Sequence, residues 1–272
     1  MFTSNVVGTE PAAQPIGVGG NPPQTGCLIV NADDWGRDRE TTDRTLDCLR
    51  CGTVSSVSAM VFMEDSARSA GIAQDHGIDA GLHLNFTSVF SGSGVPSQLR
   101  EHQERVSQYL LRNRFSQVVF HPGLIVSFEY VVEAQRDEFA RLHGREPDRL
   151  DGHHHMHLCA NVLFGRLLPA GTKVRRNFSF RPGEKSRMNR LYRATIDRVL
   201  AKRYLLTDCF FALLPVEPQK GIDEVFSIAR RSIVELETHP VNPEEFRFLT
   251  GGEIMRRKGD LQIAKGFRKF SA

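Results

Sequence analysis

The sequence predicts an α/β fold with a parallel sheet, either doubly wound or closed into a barrel. Three features point there. Short apolar, β-branched runs alternate with helical stretches along the chain, and alternation of that kind argues for parallel strands covered by helices. Polar clusters stand where those runs end, which is where such folds place their sites. The 272 residues are also compatible with a single domain, because α/β barrels routinely take roughly 200–250 residues.

Taken in order, CLIVNADDWG reads as a buried strand that delivers polar side chains at its C-terminal end. RETTDRTLDCLRCG reads as a helix closed by Gly52. VSSVSAMVF is a second strand, EDSARSAGIAQDHG a helix and IDAGLHLNF a third strand, followed by the Gly/Ser-rich loop TSVFSGSGVPS. Two helices follow over SQLREHQERVSQYLLRN and FEYVVEAQRDEFARLHG; RLDGHHHMHL alternates enough for a strand end, and ANVLFGRLLPAG is the next helix. KVRRNFSFRPGE is a strand running into a loop. SRMNRLYRATIDRVLAKRY is a helix with Met188, Leu191, Tyr192, Ile196, Val199 and Leu200 along one face. TDCFFALLP, a helix near GIDEVFSIARR, the strand SIVELETHPV and a helical tail complete the chain.

With 40% hydrophobic and 25% charged residues, the composition is that of a globular protein and excludes collagen-like, disordered and disulfide-scaffold classes. No apolar stretch is long enough to span a bilayer. Residues 1–25 are rich in Gly, Pro and small polar residues without a secretory pattern, and are expected to be a disordered tail ahead of one domain over 26–272. Five scattered cysteines, an odd number, point to a reducing compartment, so the expected location is cytoplasmic. Cys48 and Cys51 form a C-x-x-C without a second such pair, and are expected to be structural thiols.

Histidine stands out: four of the ten fall between positions 153 and 157. In a strand, His153, His155 and His157 share a face, and imidazoles crowded on one face need a metal, a carboxylate or solvent to satisfy them. Asp33 and Asp34, adjacent at a strand end, need a compensating cation if both are buried and ionised, unless they merely cap the next helix. His83 and the Glu237-Thr238-His239-Pro240 turn also end strands, and parallel topology brings such ends together. One carboxylate with neutral imidazoles suits zinc and similar ions, although an open site with waters could also hold magnesium.

N-A-D-D-W-G (31–36), G-L-H-L-N (81–85), D-G-H-H-H-M-H (151–157) and T-H-P (238–240) together resemble the YdjC-like family of carbohydrate deacetylases, with nearly all of the chain from residue 27 onward in register. The resemblance implies an irregular TIM-barrel-like (β/α) barrel and removal of an N-acetyl group from an amino sugar, dependent on one divalent metal ion. It implies Asp34, His83 and His153 as metal ligands and Asp33 as the base that takes a proton from the attacking water. His239 is implied as general acid or substrate-positioning group, with the 155–157 pair as the other source of the proton. Asp151 is expected to orient an imidazole. Two departures from the family pattern are Trp35, in place of Phe, and Gly152, in place of Ser; Trp35 is expected to offer its ring as a platform for the sugar.

Between Lys173 and Arg203 lie eleven Lys/Arg residues against Glu184 and Asp197. This reads either as a solvated helix face or as a surface for an anionic partner: a phosphorylated or lipid-linked sugar, or an anionic membrane touched peripherally. Arg175, Arg176 and Arg181 are the candidates to reach substrate. No aromatic-interleaved motif indicates nucleic acid, and a homodimer is the commonest closed assembly. A metal-dependent phosphoesterase and a non-catalytic sugar-binding relic are the competing functions.

Overall fold

Strand β1, Cys27–Trp35, is buried at every position but its first and lies inside the sheet, pairing with β2 (Ser56–Ala59) on one side and β7 (Ile233–Thr238) on the other. The remaining strands are β3 (Ala80–Leu84), β4 (Arg149–Gly152), β5 (Lys173–Val174) and β6 (Cys209–Ala212), giving a seven-stranded order β5-β4-β3-β2-β1-β7-β6 with every pairing parallel. This computed structural model describes residues 26–180, 185–213 and 220–269. The expected tail over 1–25, and with it Arg181 and Glu184, lies outside the described residues.

A single side chain reveals the curvature of the sheet. β4 and β7 stand four strands apart in the order, which in a flat sheet is about 19 Å. Yet the Arg175 guanidinium lies 3.1 Å from Asp151 on β4 and 2.7 Å from Glu235 on β7. The sheet is therefore rolled around Arg175 as a curled half-barrel. Its edge strands approach through the Lys173–Leu205 bridge and a Ser179 N–H donated to the Phe210 carbonyl, not through a continuous ladder. The curled parallel α/β sheet agrees with the irregular barrel-like fold expected from the family resemblance, and among the described residues its ladder is not closed between β5 and β6.

Helices α1 (Arg39–Arg50), α2 (Ser66–Asp75), α3 (Ser97–Arg112) and α4 (Ile125–His143) follow the first three strands, and α5 (Ala160–Gly165), α6 (Arg187–Leu200), α7 (Lys220–Ala229), α8 (Pro243–Thr250) and α9 (Glu253–Lys258) fill the second half. Asp38, not Asp33 or Asp34, caps α1 by accepting the Thr41 N–H at 2.8 Å, a contact of about 1 kcal/mol. That removes the capping explanation for the D-D pair. Helix α6 (Arg187–Leu200) forms where expected, but its apolar face is largely not buried: only Asp197 and Leu200 are, while Met188, Leu191, Tyr192 and Val199 face solvent.

Candidate active site

β1 ends in a bulge. The register with β2 shifts between Ala32 and Trp35, and Asp34 takes a left-handed conformation at φ 63°, a region that Asp tolerates better than most residues. The kink lets adjacent carboxylates serve two different environments. Asp33 meets Arg175 in a bidentate pair, with both contacts at 2.7 Å, and accepts a third bond from Asn31. Burial raises its pKa, but the Arg175 charge and hydrogen bonds prevail and hold it well below the usual carboxylate range. Asp33 is ionised.

Asp34 turns the other way. Its Oδ2 is bonded by Arg37 at 3.0 Å, whereas Oδ1 is buried with no hydrogen-bond partner. That oxygen lies 2.9 Å from His153 Nδ1 and 3.4 Å from His83 Nε2. The three side chains, each offering one ligand atom, form a compact O,N,N set. His83 Nδ1 is bonded to Asp151 at 2.7 Å, which aims Nε2 at Asp34. Burial alone would lower the His83 pKa, but the charges of Asp33 and Asp151 raise it to about 10, so a cation arriving there displaces a proton. Two further groups, Asp33-His83-Asp151 and Asp33-Glu237-His239, could also be considered for a metal. Both depend on Asp33, whose oxygens Arg175 already neutralises. The orphaned oxygen belongs to the Asp34 set.

His153–Leu158 is a tight 3-10 segment broken by two left-handed residues, His154 and His155. The expected alternation of His153, His155 and His157 on a strand face is therefore wrong: the chain turns immediately after β4 and scatters the imidazoles. Gly152 permits the turn, since a Cβ there would sit 3.1 Å from the His157 backbone nitrogen and Cβ. His153 faces Asp34. His154 meets Thr87. His155 lies against Phe178 and Phe210, where burial lowers its pKa well below the usual value. His157 donates from Nε2 to the Arg175 carbonyl at 3.0 Å, and burial lowers its pKa to about 4.

Two expected substrate contacts are corrected. Trp35 is 0% exposed, with its indole N–H donated to the Ser69 carbonyl; it anchors α2 to the sheet and has no free face for a sugar. Arg175 is equally enclosed, paired with Asp33, Asp151, Glu235 and Glu237, so it holds Asp33 in place and cannot reach outward. Arg176 does line the cleft beside His154 and His155, but its guanidinium is committed to Asp197 and to the Thr207 and Asp208 carbonyls. His239 stands near Asp33 and Glu237, partly exposed, with its backbone N–H held by Glu245 at 2.6 Å.

Glu235 and Glu237 are the site residues that sequence reasoning left without roles. Burial and then the Asp33 charge push Glu237 well above the carboxylate range, so it keeps its proton beside ionised Asp33. The signal was present: two glutamates spaced i, i+2 in an apolar strand face the same side. Opposite, Arg149 bonds Asp151, Ser56 and Ser58 from below. Room for it comes from Gly81, where a Cβ would sit 2.7 Å from the guanidinium carbon.

Beside this centre, on the side of His154 and His155, a cleft of about 210 Å³ lies between residues 117–118, the His154–Cys159 segment and α6.

The sequence aligns with a chitooligosaccharide deacetylase of Serratia marcescens at 32% identity over 134 residues, 48% of this chain and 50% of that one. With a chitooligosaccharide deacetylase of Enterobacter sp. (strain 638) the identity is 28% over 178 residues, 64% of each chain. The alignments thus span between half and just under two thirds of these relatives. The crystal structure of an Enterococcus faecalis V583 protein named for cellobiose-phosphate cleavage superposes with a TM-score of 0.62 at 17% identity, covering 91% of this chain and 99% of that one, which supports the fold. The YdjC-like protein family model matches residues 27–259, a span that holds all four motifs, and the chain belongs to that family.

Proposed function

We propose that residues 26–272 form one catalytic domain that hydrolyses the acetamide of an N-acetylated amino sugar, in a glycan, oligosaccharide or lipid-linked saccharide, with the aid of one divalent metal ion. The observation that carries this is the orphaned, buried Asp34 Oδ1 aimed with two imidazole nitrogens at a common point, beside an ionised carboxylate that is otherwise fully neutralised. Asp34, His83 and His153 would hold the ion. The mixed oxygen and nitrogen donors favour zinc or another transition ion over magnesium, which prefers oxygen.

When bound, such an ion supplies Lewis acidity to water and to the acetyl carbonyl. Everything else falls to side chains. Asp33 takes the proton of the attacking water on a lone pair left free by Arg175, since a carboxylate has about four acceptor positions. Arg175 keeps Asp33 ionised and fixed in orientation. Glu237, holding its proton, adds no second charge beside the base. To His239, near Asp33 and Glu237, we assign the proton passed to the departing amine, rather than to His157, whose Nε2–H is spent on the Arg175 carbonyl.

Acetate release from N-acetylated chitooligosaccharides, measured with metal-stripped protein and again after adding zinc or magnesium, tests the proposal. Release that appears only on adding an ion is expected. No release with any ion would overturn it.

A further inference from the structure

The exposed large apolar side chains are not scattered. One group, Phe115, Val118, Val119 and Phe120, lies on the segment after α3; another, Met188, Leu191, Tyr192 and Val199, lies on α6. Val118 from the first and Tyr192 from the second line the same cleft, so the two groups form ridges on either side of its mouth. Exposure reaches 60% at Phe115 and 74% at Met188. Soluble chains rarely leave so much apolar surface together without using it.

The charge around the ridges identifies the occupant. Residues 111–121 and 185–203 carry nine Lys/Arg and one carboxylate, Asp197. That carboxylate is buried against Arg176 and Asn177. Arg112, Arg114, Arg187, Arg198 and Lys202 all face solvent. A second copy docking ridge to ridge would bring like charge against like charge. Apolar side chains set among unpaired cations match the boundary of an anionic bilayer, with the apolar groups among the acyl chains and the cations at the headgroups. No helix among the described residues is long and apolar enough to cross a membrane.

We infer that the face around the cleft mouth is a peripheral docking surface for an anionic lipid bilayer, with the 111–120 and α6 ridges as the inserting elements. The inference concerns where the protein sits; it rests on the exposed ridges and their charge and not on the proposed deacetylase activity.

Co-sedimentation of the full chain with vesicles tests it without metal or substrate. The vesicles are phosphatidylcholine alone, or phosphatidylcholine with phosphatidylglycerol. Binding is expected on the anionic vesicles only, weakening in high salt. Met188→Asp with Leu191→Asp, or Phe115→Ser with Val119→Ser, is expected to reduce partition at least roughly tenfold, with thermal melting and acetate release from soluble oligosaccharide unchanged. No binding to anionic vesicles at low salt overturns the inference. So does binding that ignores both apolar double variants, and so does self-association of the wild type that the same variants abolish. A wild type that releases acetate but does not dock counts against this surface alone; a wild type that docks without releasing acetate counts against the deacetylase alone.

Discussion

The buried charge centre, the inner end of the site, and the ridged face at the mouth of the neighbouring cleft are built on opposite principles. At the inner end, Asp33, Asp34, Asp151, Glu235 and Glu237 are buried with Arg149, Arg175 and His83, and most of their polar atoms are partnered. At the mouth, α6 and the 111–121 segment leave apolar side chains and cations in solvent. Buried charge is costly unless it is paired, so the inner end can exist only as a fixed network. An exposed ridge bears no such constraint. The comparison separates chemistry, set by the rolled sheet, from recognition, left to elements that can vary without unfolding it.

Substitutions should respect that division. The largest effect is expected from Asp34→Ala or His153→Ala: loss of ion binding by calorimetry and of acetate release down to background, while exposed Met188→Ser retains both. Arg175→Met comes next, because it strands Asp33, Asp151 and Glu235 without their cation. Denaturant unfolding should show about 3–5 kcal/mol lost, against roughly 0.5 kcal/mol or less for Leu191→Ser at the mouth. Equal losses at the two places would erase the distinction.

A pH series sharpens it further. Since the carboxylates around His83 raise it to about 10, the protonated imidazole competes with a cation at every pH below that value. Ion affinity should rise as pH rises, by roughly tenfold per unit between pH 6 and 9. Flat affinity over that range would mean that His83 is not a ligand. A smaller effect than that of Arg175→Met is expected of Trp35→Phe, which removes buried volume and the bond to Ser69 at a cost of roughly 1–2 kcal/mol. The KM for a soluble oligosaccharide should stay unchanged; a raised KM would restore the sugar platform.

Much of the inner end was legible in the sequence because strand ends in parallel α/β folds converge. Asp33, Asp34, His83 and His153, drawn from β1, β3 and the turn after β4, do meet. What failed were inferences from local pattern. The histidine run alternates like a strand, but a left-handed pair at His154 and His155 overrides that periodicity. The α6 stripe has the spacing of a core face, but spacing reports amphipathicity without saying which medium the apolar side meets. Arg175 looked like a substrate contact by its charge and place after a strand; only the curl of the sheet shows that it points inward. Trp35 was misjudged for the same reason, since the bulge at Asp34 decides which side of β1 it occupies.

The most direct test pairs two measurements on one preparation of Asp33→Asn: the number of zinc ions bound per chain and the rate of acetate release from N-acetylated chitooligosaccharide. If Asp33 is the base and Asp34, His83 and His153 hold the ion, the variant binds one ion as the wild type does and loses about 10²–10⁴ in rate. A variant that deacetylates at the wild-type rate, or that no longer binds the ion, would contradict the separation of base from ligand on which the mechanism rests.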